Sequence, residues 1–162
     1  LAAVKEVDFV VICDADHDRG PEQVERLLAP FRDPEVALVC GARTGRVGLT
    51  PPQRFGNWLA VFLIGLGWGR RFHDLGPFRA IRRRLFPVDR LEDRGFGWNV
   101  EMNVRALEGG LGIVEVPLPA GRRVHGTNRI SSTLRGIFGA GFGILRQIYR
   151  MREESCRPLS SS

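Results

Sequence analysis

Asp14, Asp16 and Asp18 stand within five residues of one another, directly after the apolar run Phe9 to Cys13, FVVIC. Such a run reads as a parallel strand covered on both faces. The loop at the carboxyl end of a parallel strand is where layered α/β folds bind ligands. Three carboxylates this close repel one another unless a cation neutralises them. A hard divalent ion, Mg2+ or Mn2+, held by one or two of them and completed by phosphate oxygens, is the natural partner, and it would neutralise a diphosphate. The competing reading is bland: an isolated Asp-x-Asp is short and common, and these aspartates would also serve to cap the next helix and solvate its loop.

Further groups with chemical potential lie downstream. Asp74 and Arg79 flank the Gly76-Pro77 turn of DLGPFRAI, which fixes the backbone where a substrate would approach. Asp74 is read as orienting an acceptor, and Arg79 as binding substrate or supporting the loop. Glu101 of FGWNVEM stands at a helix start beside Trp98, where partial desolvation would make it a usable general base; a structural role stands beside that reading. His17 and His125 are left unassigned, because a lone histidine is more often packed or solvated than a ligand.

The elements that must position these groups alternate β and α, as in a layered α/β fold. After the acidic loop, Pro21 suits the first turn of a helix whose Val24, Leu27 and Leu28 form a buried stripe. Val36 to Val39 is a second buried strand, and it leads into GARTGR. Gly45 to Gln53 is expected to be a mobile loop. Phe55 to Trp68 forms a core or interfacial helix, too short to span a bilayer. DLGPFRAIRRRLF is expected to be a turn and short helix. Val100, Val104 and Leu107 mark a helix closed by Gly109 and Gly110, and Ile113 to Val116 a further strand. Leu134 to Tyr149 reads as a basic amphipathic helix, with residues 153–162 as a disordered tail.

Composition bounds the partners. With 43% hydrophobic and 26% charged residues, the chain has enough apolar side chains for one sizeable core. Lys5 is the only lysine within a formal charge of +6, so arginine supplies the positive charge. Guanidinium groups bind phosphate oxygens in pairs, which suits diphosphates, anionic lipid headgroups or nucleic acid. Nucleic acid is disfavoured, because the aromatics sit in apolar stretches and do not interleave with a basic face. Cys13, Cys40 and Cys156 are odd in number and far apart, the first two in apparent buried strands, so a disulfide framework is not expected. No long apolar segment or signal pattern is read, and a cytoplasmic protein is expected.

DAD after one strand, GAR after the next, then DLGPFRAIRR, FGWNVEM and RRVHGTNRISSTLRG follow one another in an order that resembles family-2 glycosyltransferases. The branch most similar contains dolichyl-phosphate mannose synthases and related bacterial enzymes, and the resemblance runs from about Phe9 to Ile148. It implies a partial GT-A fold over residues 1–152, a mixed sheet flanked by helices with a C-terminal amphipathic helix, in which the upstream strand and loop that bind the nucleotide base are missing. It also implies a metal-dependent inverting transfer of sugar from a nucleotide diphosphate donor to a lipid phosphate or other hydroxyl acceptor, with peripheral contact at the inner face of the cell membrane.

The resemblance assigns Asp14 and Asp16 to the metal and the donor diphosphate, and Asp18 to a further metal contact where relatives often carry glutamine. Arg43 of GAR would face a phosphate of acceptor or donor. RRVHGTNRISS resembles an Arg-x-x-Gly-x-Ser-Lys-Ile pattern in which Arg123 and Gly126 are kept, Asn128 replaces the serine and Arg129 the lysine, so that Arg123 and Arg129 are substrate-binding. A catalytically inactive interaction domain and another metal-dependent nucleotide-handling transferase are the alternatives.

Overall fold

The computed structural model describes the backbone of residues 7–13, 17–18, 20–44, 49–93, 97–119, 122–123 and 134–156; side chains at 17–18, 89, 122–123, 134–141 and 154–156 are outside the description. Strand β1 is Phe9–Ile12 and the two-residue strand β2 is His17–Asp18. Helix α1, Pro21–Leu28, opens on a proline whose fixed φ already suits a helix and whose missing N–H would be unbonded there anyway. Strand β3, Val36–Thr44, is buried along nearly its whole length. Helix α2, Pro51–Trp68, starts at Thr50, whose backbone N–H donates to Gln53 Oε1 at 2.9 Å, and stops at Gly69, which adopts φ 75.

Strand β4 is Arg79–Arg82, helix α3 Trp98–Glu108 and strand β5 Gly112–Pro119. Two-residue strand β6, Arg122–Arg123, and helix α4, Leu134–Cys156, follow. The main sheet has the order β1-β4-β3-β5. β3 and β5 are parallel, while β4 runs antiparallel to both β1 and β3. Ile12, Arg79 and Cys40 therefore lie in register across three strands. One face of the sheet, through Leu38, Cys40, Ile81 and Ile113, packs on Ile64 of α2, Val100 and Val104 of α3 and Met151 of α4. The other, through Val39, Ala80 and Leu118, packs on Leu27 of α1 and Phe31. The result is the layered α/β arrangement that the alternating pattern predicts, with the mixed sheet that the resemblance implies.

Several local expectations need correction. β1 is an edge strand of the described sheet, paired antiparallel to β4 alone and only partly covered on each face: Phe9 is exposed, Val10 and Ile12 lie half-buried against one cluster and Val11 against the other. Cys13 is accordingly exposed, whereas Cys40 is buried as expected. Residues 79–82 form a strand rather than a helix, because β4 slots between β1 and β3 and pairs with both, a tertiary gain that overrides the local preference of an arginine-rich segment. The expected loop over Gly45–Gln53 gives way to α2 from Pro51, while residues 45–48 lie outside the description. α4 continues to Cys156, into the segment expected as a tail; residues 157–162 lie outside the description.

Arg82 shows how β4 keeps an arginine inside the protein. Its guanidinium donates to the carbonyls of Phe31, Asp33 and Val36 at 2.6, 2.9 and 3.0 Å. It also lies 5.0 and 5.3 Å from the centres of the Phe9 and Phe31 rings. Truncation would take the donor from the buried carbonyls of Phe31 and Val36, while that of Asp33 keeps the Val36 N–H. Arg82→Ala is expected to cost about 3 kcal/mol, read as a lower urea midpoint at unchanged slope.

Candidate active site

The acidic and cationic segments of the sequence, more than a hundred residues apart, meet through β2 and β6. These short strands pair antiparallel, His17 opposite Arg123 and Asp18 opposite Arg122. β2 follows β1 by a few residues and β6 follows β5, so the ribbon stands beyond the carboxyl ends of two strands of the main sheet. That is the end at which open α/β sheets bind ligands. Asp14, Asp16 and Arg129 lie outside the described residues, as do the side chains of Asp18 and Arg123. Among the described residues no three His, Cys, Asp or Glu side chains cluster as metal ligands.

Arg43 and Asp74, read separately in the sequence, form one unit. Arg43 sits at the carboxyl end of β3, and its Nε and Nη2 donate to Asp74 Oδ2 and Oδ1, both at 2.6 Å. The Arg43 backbone N–H adds a bond to Oδ2 at 3.1 Å. The Asp74 side chain is 7% exposed and that of Arg43 23%. A bidentate pair of this kind fixes the plane of the guanidinium, and its partial exposure leaves an edge for an anion. Asp74 is thereby committed to Arg43, and its contribution runs through that arginine.

The loop carrying Asp74 is held from three sides. Leu75 N–H donates to Asn57 Oδ1 of α2 at 3.0 Å. Glu115 Oε1 accepts the N–H groups of His73 and Asp74 at 2.9 and 3.4 Å, and Glu115 Oε2 lies 3.0 Å from His73 Nδ1. Arg79 Nε donates to Gly76 O at 2.9 Å. Gly76 leaves little spare room here: a Cβ would stand 3.0 Å from Asp74 Oδ2 and 3.1 Å from Gly41 O, so those neighbours would have to give way slightly.

Arg79 and Glu101, each read in the sequence with a structural role as one alternative, are both buried. Arg79 is fully buried; beyond Gly76 its Nη1 donates to Asn99 O and to Asn103 Oδ1, at 2.9 and 2.7 Å. It is a loop support, with no face toward a substrate. Burial lowers its pKa, opposed by Cys40, Asp74 and Glu115, but an arginine starts so high that it keeps its charge. Burial likewise pushes the Cys40 thiol up, so it stays protonated and donates to Asn103 Oδ1 at 3.5 Å. Glu101 is also fully buried. Its Oε2 accepts Asp93 N–H at 2.8 Å and both oxygens lie 3.1 Å from Glu92 N, which pins the 91–93 loop to the first turn of α3. Of the two readings of Glu101, these bonds match the structural one, a fastening for the main chain.

Sequence reasoning missed Glu115, Asn103 and Asn57. A signal was present for two of them: Glu115 interrupts the apolar run of GIVEVPLP, and Asn103 sits in the buried stripe of α3 between Met102 and Val104. A polar residue in an apolar pattern is buried for a partner.

No family model matches this chain. It is 31% identical over 135 residues to an uncharacterised glycosyltransferase of Mycobacterium tuberculosis, an alignment covering 79% of this chain and 59% of the relative. It is also 31% identical over 137 residues to an undecaprenyl-phosphate mannosyltransferase of Micrococcus luteus, covering 80% and 56%. In fold it matches glucosyl-3-phosphoglycerate synthase from Mycobacterium tuberculosis, solved with Mn2+ and UDP-glucose, with a TM-score of 0.67 and 20% identity over 98% of this chain and 52% of that one. The fold is that of the GT-A glycosyltransferases, and the chain is a sequence relative of glycosyltransferases. It spans somewhat over half the length of the curated relatives it matches.

Proposed function

We propose that the protein transfers a sugar from a nucleotide diphosphate donor to an acceptor, in a reaction that depends on a divalent ion held by Asp14, Asp16 and Asp18. The observation that carries this reading is the β2–β6 pairing, which brings the flanks of the acidic segment and of the Arg123–Arg129 segment to one end of the sheet. The Mn2+ and UDP-glucose bound by the structural relative, and the lipid phosphate in the name of the Micrococcus relative, support the same chemistry. When bound, the ion supplies charge neutralisation for the diphosphate.

Arg43, Arg123 and Arg129 complement it by binding phosphate oxygens, and Asp74 holds Arg43 in place. Charge that develops on the departing diphosphate meets preformed donors, the usual large electrostatic contribution. An acceptor oxygen attacks the anomeric carbon in line as the bond to the diphosphate breaks and that group leaves with the electron pair, which inverts the carbon. With a lipid phosphate as acceptor the nucleophile is already anionic, so neither Glu101 nor another base has to take a proton. A panel of nucleotide sugars, offered to the full-length protein with short prenyl phosphates, tests this: transfer is expected with Mn2+ or Mg2+ and none after EDTA. Undiminished transfer in EDTA contradicts the metal role.

The site faces a membrane on this reading. Phe55, Trp58, Phe62 and Leu66 recur along one exposed stripe of α2, with ring centres 5.8 and 5.7 Å apart from Phe55 to Trp58 and from Trp58 to Phe62. Phe142, Leu145 and Tyr149 form a second exposed stripe on α4, which packs beside α2 and carries Arg146 and Arg150. Among the described residues no helix is long and apolar enough to cross a membrane. Large exposed aromatics with arginines nearby fit a bilayer interface. The protein is expected to float with anionic liposomes, and Trp58→Asp combined with Phe62→Asp to stay at the bottom of the gradient.

A further inference from the structure

Glu115 is a nearly buried carboxylate in β5 that neither the motifs nor the relatives single out. It accepts two successive backbone N–H groups, from His73 and Asp74, while its second oxygen meets the His73 ring. Those bonds fix the main chain from which the Asp74 carboxylate projects, and Asp74 in turn grips Arg43 by Nε, Nη2 and backbone N–H. The three residues thus form a relay from the middle of β5 to the carboxyl end of β3: Glu115 lies opposite Cys40 in register, and Arg43 three residues further along β3. Its own carboxylate, 12% exposed, points into this loop.

We propose that Glu115 is a positioning residue for phosphate binding, acting through the Asp74 main chain and carboxylate on the Arg43 guanidinium. The inference rests on the assignment of Arg43 to a substrate phosphate made above. Loss of the Glu115 bonds frees the 73–74 segment, and a guanidinium displaced by even about 1 Å loses most of its paired contact with an anion.

The test is a double-mutant cycle on the full-length protein, with affinity measured calorimetrically for pyrophosphate in the presence of Mn2+ and, in a second arm, for geranyl phosphate. The first arm reports a donor-side phosphate and the second an acceptor-side one. Arg43→Ala is expected to weaken one arm by about tenfold or more, and Glu115→Leu, which fills similar space and has no acceptor for the His73 and Asp74 N–H groups, to weaken the same arm by several-fold. In the Arg43→Ala background Glu115→Leu is expected to add nothing, since the relay has lost its end. A merely structural role would give losses that add in both backgrounds, and that result overturns the proposal. Equal affinity of Glu115→Leu and the parent overturns it too. If Arg43→Ala is silent in both arms, the Arg43 assignment itself fails and takes this inference with it. Should Glu115→Leu lower the thermal midpoint, His73→Ala, which removes only the ring contact, is expected to show the same non-additivity to a smaller degree, and additivity there counts against the relay.

Discussion

Replacing Asp16 by alanine is expected to lower turnover by roughly 100-fold to 1000-fold, with the protein still folded. The acidic segment borders β2, and the two clusters that hold the sheet between its helices are built from apolar side chains. Its proposed work is electrostatic: with one carboxylate gone, the divalent ion binds weakly and the diphosphate loses the charge that stabilises it as it departs. The measurement is initial rate against Mn2+ concentration, with circular dichroism to show the fold intact. Partial recovery at high Mn2+ would match a weakened site. Unchanged turnover at low Mn2+ would remove Asp16 from the metal site.

Arg43→Ala is expected to cost about 100-fold in kcat/KM, near the loss seen when one preorganised donor is taken from a developing negative charge. Two effects combine. The guanidinium proposed to bind the phosphate disappears, and Asp74 becomes a nearly buried carboxylate without its partner. The second effect destabilises the 73–76 loop as well as the reaction, so Arg43→Lys separates them. Lysine restores a charge but not the two parallel bonds, and its activity is expected to fall between alanine and the parent. Equal rates for the lysine variant and the parent would mean that the fork geometry is irrelevant.

Much of the fold could be read from local pattern. β3 is as apolar as VALVC suggests, α1 starts at its proline, and α3 ends where Gly110 adopts φ 61. Such features depend on neighbours in sequence. β4 did not yield to the same reasoning, because RAIR becomes a strand only through β1 and β3 on either side, and its arginines are solvated by carbonyls such as those of Phe31 and Val36 that no sequence window contains.

The site divides in the same way. Asp74 stood out beside the Gly76-Pro77 turn and Arg43 through the GAR motif of the resemblance, but their union between the end of β3 and the loop after α2 is a tertiary fact. Glu101 stood out for its place beside Trp98, and its burial was anticipated in part. What the sequence could not show is that backbone N–H groups of residues 92 and 93 would occupy its oxygens. The acidic segment is the opposite case: Asp14 and Asp16 are legible in sequence as a cluster, and the structure contributes the pairing that lays their flank against Arg122 and Arg123.

Calorimetric titration of the full-length protein with pyrophosphate, with Mn2+ present and again with EDTA, asks most directly whether carboxylates and arginines from the two ends of the chain build one anion site. Binding that strengthens at least about tenfold with Mn2+, and loses that gain in Asp16→Ala, is the expected result. The same affinity under both conditions would contradict it.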